Sequence, residues 1–186
     1  MSAYIYRFFA AFVLVAALAG CQSDLKNLPP LEPTALDDSS YRLRPGDKVS
    51  LVVFGVKDLS GEIQIAPEGT IALPLVDNVK AAGLTVAELT DAVREKLMAG
   101  YLRDPKVTIQ IVNYRPFYIL GEVRTPGGYP FVPGMTVTNA VALAGGYTPR
   151  AYKDLYRVTR SGESFRADVT TKLLPDDVVS VSERYF

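Results

Sequence analysis

One short pattern occurs near both ends of the chain and constrains the fold more than any other feature. LRPGDKVSL at residues 43–51 and LLPDDVVSV at residues 173–181 share Leu, Pro, Asp, Val and Ser at equivalent positions. Proline presets the backbone of a turn, a short Asp side chain hydrogen-bonds exposed backbone beside it, and the apolar residues that follow alternate as in a core strand. The repetition predicts two related modules, each with a proline turn that leads into such a strand.

The segments after the first copy predict strands and a helix in alternation. EIQIAPEGTIALPLV, residues 62–76, predicts a hairpin with its turn at Pro67-Glu68-Gly69. GLTVAELTDAVREKLMAG, residues 83–100, predicts a helix, because it carries the Thr-x-x-Glu spacing of a capping box and an apolar stripe. PKVTIQIVNY, residues 105–114, predicts a returning strand.

The first strand of this half carries apolar residues on both of its faces. Val49, Leu51 and Val53 alternate onto one face, and Val52 and Phe54 lie on the other. We therefore expect this strand to be covered on both sides.

The second half repeats the same order on a smaller scale. FYILGEV predicts a strand, TPGGYPFV a hairpin, and TVTNAVALAGG a short helix that Thr136 or Thr138 caps and a Gly-Gly pair ends. The predicted fold class is therefore α+β, with two small mixed modules joined near residues 114–116. Because the strands of each module come from distant parts of the chain, we do not expect an isolated half of either module to fold.

The amino terminus carries a short apolar run that ends at the single cysteine. FFAAFVLVAALAG, residues 8–20, follows Arg7 and is shorter than the roughly 20 residues of a spanning helix, so it predicts a secretory signal peptide. LAGC resembles the bacterial lipobox, in which the chain is cut between Gly20 and Cys21 and the Cys21 thiol is lipidated. Gln22 in place of Asp is typical of lipoproteins sorted to the outer membrane. The alternative is a buried, inert Cys at the end of a small core helix.

The segment after Cys21 has the composition of a linker. Residues 22–40 contain three prolines, scattered charges and no hydrophobic period, which is typical of a flexible tether. The predicted organisation is a signal peptide at 1–20, a tether at 21–40, one module at 41–114 and a second at 115–186.

Composition restricts the chemistry that the chain can perform. The absence of His and the single Cys remove Ser-His-Asp and Cys-His constellations and the usual nitrogen ligands of zinc. Lys plus Arg and Asp plus Glu each number 20, so no field of one sign attracts nucleic acid. Asp176 and Asp177 follow Pro175 and suit a turn. We expect no catalytic residue, no metal and no cofactor, and we do not expect an enzyme.

Several stretches together resemble a known family. YRLRPGDKVSLVVFG, IAPEGTIALPLVDNVKAAGLTVAELTDAVREKL and PKVTIQIV resemble the polysaccharide-export domain of the outer-membrane polysaccharide export lipoproteins. FYILGEVRTPGGYPFVPGMTVTNAVALAGGYTPRA resembles the adjoining soluble-ligand-binding β-grasp (SLBB) domain. The resemblance extends from Tyr41 to Ser182, and a lipobox is typical of the family.

The resemblance implies a function and a set of partners. It implies a homo-oligomeric ring, lipid-anchored to the outer membrane and facing the periplasm, through which capsular or exopolysaccharide passes. It implies an inner-membrane polysaccharide co-polymerase, paired with or fused to a tyrosine kinase, as a partner. The family's motif residues are expected mostly to shape the fold; in this sequence they are Arg44, Pro45, Gly46, Asp47, Pro67, Gly69, Gly121, Pro126, Gly127 and Tyr129.

Larger members of the family continue into further β-grasp domains and a C-terminal pore helix. This sequence ends soon after its first SLBB module. We therefore expect a short form in which either a separate outer-membrane β-barrel completes the path or the ring acts only in the periplasm.

Tyrosines and basic residues cluster in GYTPRAYKDLYRVTR, residues 146–160. Aromatic rings and cations suit sugars and acidic polymers, whereas the alternative is the polar side of a strand with its preceding loop. The predicted polymer or subunit contacts are Tyr147, Arg150, Tyr152, Lys153, Tyr156, Arg157 and Arg160. A second function class stays open, a lipid-anchored module that binds or senses soluble glycans.

Overall fold

The computed structural model describes residues 25–32, 41–74 and 76–184. The predicted cleavage and lipidation sites at Gly20 and Cys21 lie outside these residues. The described part has an α+β fold with two modules, which confirms the predicted fold class.

The first module contains five strands and one helix. They are β1 (Lys48–Val53), β2 (Gly61–Gln64), β3 (Thr70–Leu73), β4 (Val76–Lys80), α1 (Val86–Met98) and β5 (Val107–Asn113). β2, β1 and β5 form an antiparallel sheet in that order, and β3 pairs with β4 as a separate hairpin. A 3₁₀ turn at Lys57–Leu59 connects β1 to β2.

Helix α1 packs its apolar stripe on this sheet. Leu89, Val93 and Leu97 are buried in one cluster with Val49 and Leu51 of β1. The predicted capping box is confirmed, because the Thr85 hydroxyl accepts from the Glu88 amide at 3.2 Å and the Thr85 amide donates to the Glu88 carboxylate at 2.8 Å. The two bonds satisfy backbone donors that a helix start otherwise leaves without partners.

The predicted hairpin of this module is wrong in its pairing. The turn at Pro67–Gly69 forms, with the Ala66 amide donating to the Thr70 carbonyl at 2.9 Å. However, β2 pairs with β1 and β3 pairs with β4. The pattern missed β4 because its sequence, VDNVK, has only two apolar residues.

The expectation that β1 is covered on both faces is also wrong. Val52 is 49% exposed and Phe54 is 83% exposed. The reason is that the core of the module, including α1, lies on the face that carries Val49, Leu51 and Val53.

The second module is a five-stranded sheet with one helix. Its elements are β6 (Phe117–Gly121), β7 (Gly127–Tyr129), α2 (Val137–Leu143), β8 (Tyr156–Arg160), β9 (Glu163–Ala167) and β10 (Val178–Val181). The strand order is β7-β6-β10-β8-β9, with β10 parallel to β6 and the other pairs antiparallel. The predicted hairpin within TPGGYPFV is wrong, because Gly127–Tyr129 forms strand β7, which pairs with β6. Thr136, not Thr138, caps α2.

Part of the predicted tether contacts the second module. We call residues 25–32 the strap. The Leu31 amide donates to the Arg166 carbonyl at 2.9 Å, and the Arg166 amide donates to the Pro29 carbonyl at 2.8 Å, so the strap runs along β9. Leu31 also packs against the core of this module. The strap therefore has defined contacts, which composition did not predict.

Candidate functional site at the junction of the modules

The two copies of the repeated pattern form matching turns. Asp47 is 0% exposed and Asp177 is 1% exposed. Each carboxylate accepts a hydrogen bond from the amide three residues earlier, Arg44 at 2.8 Å and Leu174 at 2.7 Å. The residue before each Asp has a positive φ, 96° at Gly46 and 76° at Asp176. The buried aspartates thus close both turns, as the repetition predicted.

Each buried aspartate has an arginine partner, and the two arginines come from different places. Arg160 of β8 donates to Asp177 from Nε at 2.9 Å and from Nη2 at 2.7 Å, within one module. Arg115, between the modules, lies with Nε 3.4 Å from Asp47 Oδ1, and its amide donates to the same oxygen at 3.3 Å.

Arg115 also contacts the second turn. Its Nη1 donates to Asp176 Oδ2 at 2.5 Å, and its side chain is 12% exposed. The pKa of Arg115 is raised: burial acts to lower it, but Tyr41, Asp176 and Asp47 together outweigh burial. A single side chain therefore joins the turn of one module to the turn of the other.

Tyr41 contacts this ion pair, and two further aromatic rings pack in series with it. The Tyr41 hydroxyl donates to Asp47 Oδ2 at 2.8 Å, and burial, together with the negative charge of Asp47, raises the pKa of Tyr41 to about 12. The Tyr114 ring packs edge-on against both Tyr41, at 5.2 Å between centroids, and Phe131, at 5.6 Å. This arrangement packs the junction and moves the ionisation of Tyr41 to more alkaline pH.

A cleft of about 440 Å³ opens beside the junction. It lies within the size range of ligand-binding pockets. Residues from both modules line it: Val112, Asn113, Tyr114, Pro116, Gly128, Tyr129, Pro130 and Phe131. The side chains that line it are apolar or aromatic apart from the Asn113 amide and the Tyr hydroxyls, and none of them is charged.

The motif residues carry structural contacts. Gly69 and Gly121 both have positive φ; a Cβ on Gly69 would lie 2.7 Å from the Ala82 Cβ, and a Cβ on Gly121 would lie 2.1 Å from the Val181 carbonyl oxygen. The Tyr129 hydroxyl donates to the Thr125 carbonyl at 2.6 Å. Pro45 and Pro67 lie exposed in turns, and Pro126 lies exposed directly before β7.

The predicted contact residues within 147–160 differ in their exposure. Tyr156 is 0% exposed, and its hydroxyl lies 2.6 Å from that of Tyr147. Arg160 holds Asp177, and Arg150 pairs with Glu183. Lys153 lies over the Tyr147 ring, 5.4 Å from its centroid. Tyr156 is therefore buried away from any polymer, while contact by the other predicted residues stays a prediction: Tyr147, Arg150, Tyr152, Lys153, Arg157 and Arg160.

The described residues show two further features. Their Asp and Glu side chains form no group of three or more placed to hold a metal ion. Among the helices described, none has the length and apolar character needed to cross a membrane.

Sequence comparison assigns the class of protein. Residues 35–112 match the family model of polysaccharide biosynthesis/export proteins, and residues 116–167 match the model of the SLBB domain. The junction at Arg115 lies between the two matches. The chain belongs to the polysaccharide export family, in the form that carries an SLBB domain.

Individual relatives support this assignment. Exopolysaccharide production protein ExoF of Rhizobium meliloti (strain 1021) is 33% identical over 140 residues, covering 74% of this chain and 33% of ExoF. Polysialic acid transport protein KpsD of Escherichia coli is 28% identical over 188 aligned positions, covering 84% of this chain and 33% of KpsD. The chain thus spans about a third of the length of these relatives.

Proposed function

We propose that this protein is a subunit of a polysaccharide export machine, lipidated at Cys21 and held at the outer membrane with its two modules in the periplasm. The observation that carries the proposal is the presence, in order, of an export domain and an SLBB domain. The names of ExoF and KpsD support it, since one concerns exopolysaccharide production and the other polysialic acid transport. The LAGC sequence supports the lipid anchor.

The subunits assemble into a ring that guides the polymer and performs no reaction. The ring and its partner, an inner-membrane co-polymerase associated with a tyrosine kinase, follow from the resemblance to the family.

Deletion of the gene tests the function. We expect loss of secreted or surface polysaccharide with synthesis intact, and recovery on complementation with the wild-type gene. A Cys21→Ser variant should be absent from the membrane fraction and should restore secretion only poorly in the deletion strain. Mass photometry of the purified lipoprotein in detergent should show an oligomer.

Two outcomes would contradict the proposal. Unchanged secretion in the deletion strain with altered signalling would favour the glycan-sensing alternative. A monomer under all conditions would exclude the ring.

A further inference from the structure

Uncharged side chains lie along the exposed sides of β5 in the first module and of β6 in the second. Alternate residues of β5 and β6 point outward from their sheets, and all five are exposed, including Val112 at 41%, Tyr118 at 41% and Leu120 at 47%. We call these residues the uncharged strip: Thr108, Gln110, Val112, Tyr118 and Leu120.

The junction cleft joins the two halves of the uncharged strip. Val112 lines the cleft from β5, and Gly128 lines it from β7. The Tyr118 ring packs over Gly128, where an added Cβ would lie 3.0 Å from Tyr118 Cε1. The strip therefore continues from the first module, past the cleft, to the open face of the second sheet.

Four of the five strip residues have uncharged cross-strand neighbours. The fifth, Val112, lies beside Asn113, which pairs with Lys48, and the charge of Lys48 is neutralised by Glu62. Thr108 pairs with Val52 and Gln110 with Ser50. In the second module, Tyr118 pairs with Val178 and Gly128, and Leu120 pairs with Ser180. Charged residues are 22% of the chain, and the exposed side of α1 carries Glu88, Asp91, Arg94, Glu95 and Lys96.

This composition fits a sugar chain better than a protein surface. A pyranose ring presents C–H groups on its faces and hydroxyls at its edge. The C–H faces pack on aromatic and aliphatic side chains such as Tyr118 and Leu120, while the hydroxyls bond to neutral donors and acceptors such as the Gln110 amide and the Thr108 hydroxyl. A subunit interface of this size would need a larger continuous apolar core, whereas polar and apolar residues alternate here.

We propose that the uncharged strip contacts the exported polysaccharide, through ring faces and hydroxyls and not through charge. The proposal rests on the proposed export function. The sugar rings of neutral and acidic polysaccharides have the same uncharged faces and hydroxyls. An uncharged strip therefore contacts both kinds of chain and binds neither of them by strong electrostatic attraction. Such a surface suits a polymer that must move along it.

Binding of defined oligosaccharides to the purified full-length lipoprotein in uncharged detergent tests this. The probes are cellohexaose, which is neutral, and hexagalacturonate, which is anionic. We expect both to bind, with dissociation constants that change less than about twofold between low and high salt, because no charge on the strip is screened. Tyr118→Ala should weaken binding of both by about fivefold.

Matched variants separate the strip from general effects. Tyr101→Ala removes a tyrosine that is 53% exposed beyond the end of α1 and should leave both affinities unchanged. Gln110→Glu should weaken binding of hexagalacturonate more than of cellohexaose, and only at low salt. This second variant tests the strip even if Tyr118→Ala disturbs the β6–β7 hairpin.

Three results would overturn the proposal: no binding of either probe by the wild type, equal losses in the Tyr118 and Tyr101 variants, or a marked salt dependence in the wild type. A change of oligomer mass in Tyr118→Ala without a change in glycan affinity would make the strip a subunit contact instead. Each of these leaves the export function standing if the deletion strain still fails to secrete polymer.

Discussion

Arg115 neutralises a buried carboxylate in one module and holds an exposed carboxylate in the other. Asp47 is 0% exposed, and a buried charge without a counterion is strongly destabilising. In the second module the corresponding charge, on Asp177, is neutralised by Arg160 of the same sheet. The first module therefore depends on a residue outside its own strands, and the second does not.

Replacement of this arginine tests the dependence. Arg115→Ala removes the guanidinium and leaves Asp47 with hydrogen bonds from the Tyr41 hydroxyl and from the amides of residues 44 and 115. We expect the free energy of unfolding to fall by about 2–4 kcal/mol, because no positive charge then neutralises the buried carboxylate. Arg115→Lys should recover only part of the loss, because an ammonium group cannot reproduce the planar contact with two carboxylates. Urea denaturation followed by circular dichroism measures both.

The control for this series is an exposed ion pair. Arg94 and Asp91 on α1 lie 2.9 Å apart with both side chains at least half exposed, so Arg94→Ala should change stability by less than about 0.5 kcal/mol. If Arg115→Ala were no more destabilising than Arg94→Ala, the junction would not depend on this charge.

Tyr41 makes the junction sensitive to alkaline pH. Its pKa is raised from 10.0 to about 12, so between these values the unfolded chain loses a proton that the folded chain keeps. The contribution of Tyr41 to stability is therefore complete below pH 10 and is lost as the pH rises toward 12.

Tyr41→Phe should reduce this alkaline loss of stability. Part of the loss should remain in the variant, because the pKa of Tyr156 is also raised, by burial and by a hydrogen bond with Tyr147. Urea midpoints measured across this pH range give the slope for each protein. Equal slopes for the wild type and the variant would show that Tyr41 ionises as freely in the folded protein as in the unfolded chain.

At the scale of elements, local signals predicted local structure. The α1 capping box depends on Thr85 and Glu88 alone, so it could be found from the sequence. The loop between β6 and β7, residues 122–126, contains no Gly, and the glycines that predicted a turn belong to β7 itself. The pairing of β2 with β1 depends on which strands share the core of the module, and the turn that follows β2 does not determine it. Exposure of Phe54 depends on which face of the sheet α1 covers.

The candidate site shows the same division. Asp47 and Asp177 could be identified because their sequence context is repeated. The roles of Arg115 and Tyr41 could not, since each depends on a contact between segments that only the fold brings together. The uncharged strip was not predicted, because the alternation of residues along a strand does not show which of its faces is exposed.

The end of β6 offers a test of backbone packing. Gly121 and Gly162 both have a positive φ, 87° and 88°, but only a Cβ on Gly121 meets another atom, Val181 O at 2.1 Å. Gly162→Ala should therefore cost about 1–2 kcal/mol from backbone strain, and Gly121→Ala clearly more, because β10 must also move. Chemical denaturation of both variants checks this, and equal losses would contradict the clash.

At the scale of the whole molecule, the strap links the start of the chain to its later half. Leu31→Ser removes an apolar contact with the second core and should raise hydrogen exchange at the Leu31 position and at Arg166, whose amides form the bonds between strap and β9. Leu143→Ser, at a site 50% exposed on α2, serves as the control and should leave this exchange unchanged. Unaltered protection in Leu31→Ser would show that the backbone bonds alone hold the strap.

The strap also sets how far the protein can stand from the bilayer. Five peptide units separate Cys21 from Lys26, whose carbonyl accepts a hydrogen bond from Arg166 of β9 at 3.2 Å, and a fully extended chain of that length reaches about 17 Å. With the proposed lipid on Cys21, this contact with β9 is held within that distance of the lipidated residue. The two modules then lie close to the membrane. They can rotate about the point of attachment, but they cannot move far into the periplasm.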